Sequence, residues 1–161
     1  MSGGSREHSL IAGNLNWILK SQLRGQPCEL HSSDMRVKVS AQGMYTHPDI
    51  SVVCGVPRFE DVHRDTLLNP LVIVEVLSPS TEAYDRGAKF GYYRELPSLR
   101  EYLLVAQDKM LVEHYVRQDA GWLLTATSDA VAVALPSIGC TLPLAEIYLQ
   151  VDPDQTSPSA Q

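Results

Sequence analysis

LVIVEVLSPST, at residues 71–81, is an apolar run with one ionisable side chain, Glu75, in its middle. A bare buried carboxylate is very costly, so Glu75 must shift its pKa, pair with another group or bind a cation. Side chains alternate along a strand, which puts the three valines of the run on one face and Glu75 on the other. Because both faces are apolar, we predict a central, buried strand over residues 71–77.

The composition is that of a globular protein. The 161 residues are 44% hydrophobic and 20% charged, enough for one domain that buries about two-thirds of its surface. We expect one domain over residues 1–150 and a disordered tail over residues 151–161. No apolar run approaches the ~20 residues of a membrane span and the N-terminus has no signal-peptide core, so we expect a cytoplasmic protein without a membrane partner. The net charge of -6 excludes a surface that attracts phosphates everywhere but is compatible with a local basic site.

The cysteines are odd in number and widely spaced. Cys28, Cys54 and Cys140 are expected to be reduced thiols in apolar segments. Cys54 and His63 lack a second pair at zinc spacing, so we predict no structural zinc.

Hydrophobic spacing predicts the order of the other elements. Apolar residues at three- and four-residue steps indicate an amphipathic helix between Glu7 and Arg24 that ends at Gly25. The central strand is followed by a predicted helix from about Glu82 to Leu96 that ends before Pro97. Strands are predicted over residues 35–40, 50–54, 102–106, 111–116, 122–124 and 131–135, with a loop over 55–69 and a final turn or helix over 144–148. This order indicates a mixed α/β domain.

Two acids mark a candidate site. Asp49 precedes the strand at residues 50–54, and Glu75 lies inside the next long strand. If those strands are neighbours, both carboxylates converge at a point where Mg²⁺ (or Mn²⁺) would neutralise them, with the backbone carbonyl of Val76 as a further ligand. Lys89, fourteen positions after Glu75, lies early in the following helix and would reach the same point.

Each of these residues also has a structural interpretation. Glu75 could be a buried acid paired with Lys89, and Asp49 after a proline could be a turn residue. Lys89 could pair with Asp85 one helical turn away. His8, at the start of the first helix, is interpreted as a surface or capping residue that supports the site rather than as a general base, and His47 is interpreted in the same way.

Several motifs resemble one bacterial family, the restriction endonucleases within the PD-(D/E)XK nuclease superfamily. The string EVLSPST is a specific signal, whereas a proline-aspartate pair alone is weak. The resemblance runs from about Arg6 to Tyr148. It rests on Arg6 to Ser9, Asn14-Leu15, Pro48-Asp49, Pro70, residues 75–81, Asp85, Lys89, Tyr93, Pro97 and residues 102–105.

The resemblance implies a restriction-endonuclease-like core, a mixed sheet with flanking helices, and metal-dependent hydrolysis of phosphodiester bonds in DNA. Asp49 and Glu75 would hold the cation, and Lys89 would position water or stabilise the charge on the phosphate. The superfamily's basic residue ordinarily stands where this chain has Leu77, so the resemblance implies a lysine moved to the helix. Relatives usually carry a further N-terminal helix and hairpin before the segment at which this chain begins.

The resemblance also implies that Asp85 and either Tyr92 or Tyr93 hold Lys89 in place. Independently of the resemblance, Arg86 and Arg94 could belong to a local basic rim that contacts nucleic acid, although scattered arginines are usually part of a solvated surface. A homodimer is expected because cutting two strands with one site per chain favours a two-fold pair. Two alternatives stay open: a catalytically inactive nuclease-fold module for interaction or nucleic-acid binding, and a metal-dependent hydrolase of another phosphoester.

Overall fold

A computed structural model of the chain describes residues 4–128 and 131–152. Most of the predicted tail, residues 153–161, lies outside the described part. The elements in chain order are α1 Arg6–Leu23, β1 Cys28–His31, β2 Arg36–Lys38, β3 Tyr45–Thr46, β4 Ile50–Cys54, β5 Thr66–Leu67, β6 Val72–Val76, α2 Glu82–Arg86, α3 Ala88–Tyr93, β7 Glu101–Val105, β8 Val112–Gln118, β9 Gly121–Thr127, β10 Ala132–Leu135, β11 Cys140–Pro143 and α4 Leu144–Ile147.

The main sheet has six strands in the order β1-β4-β6-β7-β8-β9. β6 runs parallel to β7 and antiparallel to β4, so the strand that carries Glu75 lies inside the sheet and is buried along its whole length. Two smaller sheets have the strand orders β3-β2-β5 and β10-β11. This mixed sheet with flanking helices confirms the predicted fold class.

The two faces of β6 contribute to two separate cores. The three valines of β6 pack with α1 and with the β10-β11 hairpin. Ile73 and Leu77 pack on the opposite face with Tyr93, Leu99 and Tyr102. The alternation predicted from the sequence is therefore confirmed on both faces.

α1 covers the valine face of the sheet. Its buried stripe is Ile11, Leu15, Ile18, Leu19 and Leu23, spaced as expected for an amphipathic helix. Ser5 caps its N-terminus by accepting a hydrogen bond from the His8 amide. None of the helices in the described ranges has the length and apolarity needed to cross a membrane.

The single helix predicted after β6 is wrong, because the segment is broken into α2 and α3 at Gly87. The backbone of Gly87 is not helical (φ −101°, ψ −97°), and a Cβ added there would lie 3.2 Å from the carbonyl oxygen of Ala83. Sequence periodicity also missed four short strands, β1, β3, β5 and β11. Short strands offer too few residues for an alternating pattern to be recognised.

The expectation of three reduced thiols is wrong for one pair. Cys28 and Cys54 are directly opposite in the antiparallel β1–β4 ladder, and they form a disulfide across a sequence separation of 26 residues. Cys140 is free and buried. The pairing depends on strand register, which cysteine spacing does not encode.

Candidate active site

The β4–β6 pairing brings the two predicted acids together. Ile50 is opposite Val74 in the antiparallel ladder, so Asp49, one residue before β4, lies beside the end of β6. One carboxylate oxygen of Asp49 accepts a hydrogen bond of 2.8 Å from the backbone N–H of Val76. This contact anchors Asp49 next to the strand that carries Glu75.

Glu75 is a buried acid with two donors at one oxygen. Only 4% of the residue is exposed, and its Oε1 lies 2.8 Å from Lys89 Nζ and accepts a 3.0 Å hydrogen bond from the Tyr93 hydroxyl. That hydroxyl also contacts Thr46 Oγ1 at 2.8 Å. Burial raises the pKa of Glu75 to about 7, although the charge of Lys89 acts in the opposite direction.

Lys89 reaches the acids from α3, as the displaced-lysine interpretation requires. Its ammonium lies 3.6 Å from Asp85 Oδ1, an i,i+4 pair, as well as next to Glu75. Burial alone would lower the pKa of Lys89, but the negative charges of Glu75 and Asp85 outweigh burial and raise it. The structure therefore brings Asp49, Glu75, Asp85 and Lys89 into one cluster.

His8 belongs to this cluster, which the sequence interpretation understated. Its Nε2 lies 3.2 and 3.3 Å from the two carboxylate oxygens of Asp49, so it is neither a free surface residue nor the side chain that caps α1. The hydrogen bond to Asp49 raises the pKa of His8 against the lowering effect of burial. No local signal distinguishes this histidine from a surface one, because the contact spans 41 residues.

The remaining predicted residues divide between the cluster and other places. Tyr93 contacts Glu75, whereas Tyr92 packs against the core on the Ile73 face. Arg86 pairs with Glu82 at 3.0 Å and with Glu113. Arg94 is exposed just after α3, and neither arginine is among the residues that line the groove at the acids.

That groove has a volume of about 1590 Å³ and lies between α1 and the edge strand β1. Asp49, Glu75 and Lys89 line one part of it. Gln107 also contributes to the wall, and its side-chain oxygen is buried without a hydrogen-bond partner in the described part of the chain. The proximity of Gln107 to the acids depends on the parallel β6–β7 pairing, which local sequence patterns do not encode.

The donor set at the acids fits a hard divalent cation. Within residues 4–128 and 131–152 no three His, Cys, Asp or Glu side chains are grouped as an all-protein metal site requires. Mg²⁺, however, commonly uses one or two carboxylates and keeps several waters. The N–H and C=O of a strand residue point toward the same side, so the carbonyl of Val76 faces the side on which its N–H meets Asp49. Asp49, Glu75 and Val76 thus offer oxygen ligands for a partly hydrated ion.

A sequence profile described as "Uma2: Putative restriction endonuclease" matches residues 1–145. The chain belongs to the Uma2 family. This match confirms the family inferred from the EVLSPST string and the residues around it.

Two similar proteins come from Synechocystis sp. (strain ATCC 27184 / PCC 6803 / Kazusa). Uncharacterized protein slr1290 is 39% identical over 149 residues, covering 92% of this chain and 77% of the relative. Uncharacterized protein sll1609 is 38% identical over 126 residues, covering 78% of this chain and 71% of the relative. A solved structure described as "a putative nuclease belonging to DUF820", from Anabaena variabilis ATCC 29413, matches with a TM-score of 0.77 at 18% identity, covering 94% of this chain and 85% of that one. This structure shows that the fold is shared.

Proposed function

We propose that this protein is a divalent-metal-dependent nuclease that hydrolyses phosphodiester bonds in DNA. The observation that carries the proposal is the contact of 2.8 Å between Lys89 Nζ and Glu75 Oε1, at a pair of acids that line an open groove. Family membership supports the general class. The proposed substrate, metal and residue roles follow from the chemistry of the cluster.

Asp49, Glu75 and the carbonyl of Val76 would hold Mg²⁺ or Mn²⁺. When bound, such an ion lowers the pKa of water and neutralises charge on a phosphate. Glu75 is suited to this role because its buried carboxylate requires a compensating positive charge. His8 restrains the carboxylate of Asp49, since its Nε2 lies within 3.3 Å of both oxygens.

Lys89 supplies a positive charge at a defined place. An ammonium group is a compact charge on a flexible stem, suited to a phosphate oxygen or to orienting water. Asp85 and Glu75 restrain it. The Tyr93 hydroxyl fixes the orientation of Glu75 by donating to the same oxygen that Lys89 contacts.

A purely structural ion pair between Glu75 and Lys89 is the competing interpretation. Solvent access favours the enzyme, because the side chains of Lys89, Asp49 and His8 remain 13%, 16% and 23% exposed and line the groove together. The inactive-module alternative therefore becomes one outcome of the test.

The test combines cleavage with metal binding. Supercoiled plasmid and labelled oligonucleotides are incubated with the protein and Mg²⁺ or Mn²⁺, and Mn²⁺ binding is measured by calorimetry. Glu75→Gln and Asp49→Asn are expected to lose at least about 100-fold in cleavage rate and to bind Mn²⁺ more weakly. Glu95→Gln, an exposed acid outside the groove, is the matched control. Cleavage by Glu75→Gln at the wild-type rate rejects the proposal, and absence of both cleavage and Mn²⁺ binding in the wild type favours the inactive module.

We also propose that the nuclease acts as a homodimer. The reason applies where both strands of a DNA duplex are cut, since strands of opposite polarity are cleaved most directly by two sites related by a two-fold axis. Sedimentation at the concentrations used for cleavage measures the state of assembly.

A further inference from the structure

We propose that the groove beyond the acids holds an unpaired nucleic-acid strand, with a base stacked on Trp17 and phosphates held by Lys20 and Arg24. This inference rests on the proposed function and deepens it by naming the form of the substrate. All three residues lie on α1 or immediately after it. All three line the same groove as Asp49, Glu75 and Lys89.

Trp17 is placed as a stacking platform. It is 68% exposed, although α1 has a stripe of five buried apolar residues that pack against the sheet. No ring of the described residues stacks on it; the aromatic contacts of the chain cluster around Phe90 and Tyr102 on the opposite face of the sheet. An exposed indole in a groove presents a flat apolar surface that a nucleobase can cover.

Lys20 and Arg24 supply positive charge along the same wall. They follow Trp17 by three and seven residues, so they continue its side of the helix. Neither has an acidic partner within 4 Å in the part of the chain that the structure describes. Glu29, the acid on the β1 wall, lies 3.1 Å from His31 Nε2. The two cations are thus available for phosphates even though the net charge of the chain is -6.

The spacing along α1 suits a strand that passes from these residues to the acids. A helix rises about 1.5 Å per residue, so Trp17 lies roughly 14 Å and Arg24 roughly 24 Å from His8, which contacts Asp49. Between His8 and Trp17 the residues that line this wall are Ser9, Ala12, Gly13 and Asn16, of which the first three are small. A Cβ added at Gly13 would meet nothing within 4 Å, so the groove is unobstructed at the point where the nucleic-acid strand would cross α1.

An unpaired strand is favoured over a duplex. The face of an indole can stack only on a base whose own face is free, and the bases of an intact duplex cover one another. Lys20 and Arg24 would hold the backbone without selecting a sequence. The proposed site therefore prefers single strands, overhangs or opened duplex ends.

The experiment measures binding without cleavage. A fluorescein-labelled oligo(dT) of about 12 nucleotides and a blunt hairpin duplex of similar charge are titrated with full-length protein in EDTA, with anisotropy as the readout. Trp17→Ala is expected to weaken oligo(dT) binding by roughly 5- to 100-fold, and Trp17→Tyr to retain most of it. Lys20→Gln and Arg24→Gln are each expected to reduce the salt dependence of binding by about 0.7 in log–log slope.

Matched controls lie outside the groove. Leu123→Ala removes an apolar side chain that is 56% exposed, and Arg58→Gln removes an exposed cation. Both are expected to bind as the wild type does. Equal oligo(dT) binding by Trp17→Ala and the wild type overturns the inference, as does equal or tighter binding of the hairpin.

The outcomes also separate this inference from the proposed nuclease activity. Trp17-dependent oligo(dT) binding without cleavage in Mg²⁺ or Mn²⁺ supports the strand site and contradicts the nuclease. Cleavage that is unchanged in Trp17→Ala at subsaturating single-stranded substrate supports the nuclease and contradicts the strand site. Absence of oligo(dT) binding, with a Trp17→Ala protein that sediments as a smaller species than the wild type, identifies the face as a protein contact and also overturns the inference.

Discussion

Glu75 is the residue of the candidate site whose surroundings most disfavour its negative charge. It lies in a strand that is buried from end to end, and burial raises its pKa to about 7. Lys89 and Tyr93 satisfy one of its oxygens. These polar contacts hold the side chain in place, but Lys89 only partly offsets the cost of burying its negative charge. A bound cation would offset the rest of that cost.

The raised pKa of Glu75 makes metal binding and stability depend on pH. Without metal, the folded protein keeps a proton on Glu75 between its ordinary value of 4.5 and about 7, whereas the unfolded chain has released it. This contribution to stability is complete below 4.5 and is lost as pH rises through 7. A cation must displace the same proton, so its affinity is expected to rise about tenfold per pH unit below 7 and to level off above.

Two measurements check this prediction. The side-chain carboxyl of Glu75, followed by ¹³C NMR in EDTA, is expected to titrate near 7 and to be ionised at lower pH once Mg²⁺ is present. Calorimetric titration of Mn²⁺ into His8→Ala at several pH values removes the contribution of His8, whose pKa is also raised at the site. A Mn²⁺ affinity that is constant from pH 5 to 7 in this variant contradicts the assignment.

The break between α2 and α3 is the element-level feature that positions the lysine. Lys89 is the second residue of α3, two residues after the non-helical Gly87. A continuous helix would place residue 89 at a different angle and height relative to β6. The break therefore sets whether a lysine on the helix can serve as the basic residue that related nucleases carry on the strand, at the position of Leu77.

Gly87→Ala is expected to impair the site more than the fold. The added Cβ would lie 3.2 Å from the carbonyl oxygen of Ala83, so the backbone at the break must give by a few tenths of an ångström, and we expect this adjustment to displace Lys89. We expect about a 10-fold or larger loss of cleavage, since small misplacement of a charged group is costly. Gly91→Ala in α3 is the matched control. Its Cβ meets nothing within 4 Å, and the change is expected to stabilise the protein by about 0.5–1 kcal/mol. Equal activity of the two variants would show that the break does not position Lys89.

At the scale of the whole molecule, the groove depends on β1 staying paired with β4. β1 is the edge strand of the main sheet and forms the wall opposite α1. The disulfide between Cys28 and Cys54 ties it to the strand that follows Asp49. The bond therefore links the stability of the edge to the geometry of the candidate site.

Reduction of this disulfide is expected to lower the free energy of unfolding by roughly 2–4 kcal/mol, because a loop of 26 residues is released. Urea unfolding with and without a dithiol reductant measures the loss. Cys28→Ser is expected to show the lower stability and no further response to reductant, while Cys140→Ser keeps the response because Cys140 is not bonded. A wild type that is equally stable with and without reductant contradicts the prediction.

Local patterns sufficed for the parts of the fold that depend on side-chain alternation. The faces of β6 and the buried stripe of α1 follow directly from the order of residues, because backbone geometry sets which side chains share a face. The convergence of Asp49, Glu75 and Lys89 on one point was also predictable from the sequence. The sequence did not predict the contact of His8 with Asp49, the exposure of Trp17 beside the groove or the unpaired oxygen of Gln107. Each of these features depends on residues far apart in the chain.

The order of residues is sufficient to predict the central strand, its two apolar faces, the single acid among them and the family to which the chain belongs. Three features depend on long-range packing: Lys89 reaches Glu75 across a helix break, Cys28 meets Cys54, and α1 and β1 leave a groove that leads to the acids. The reason is physical: side-chain periodicity is a property of neighbouring residues, whereas strand register, helix placement and the burial of a charge depend on how distant segments pack together.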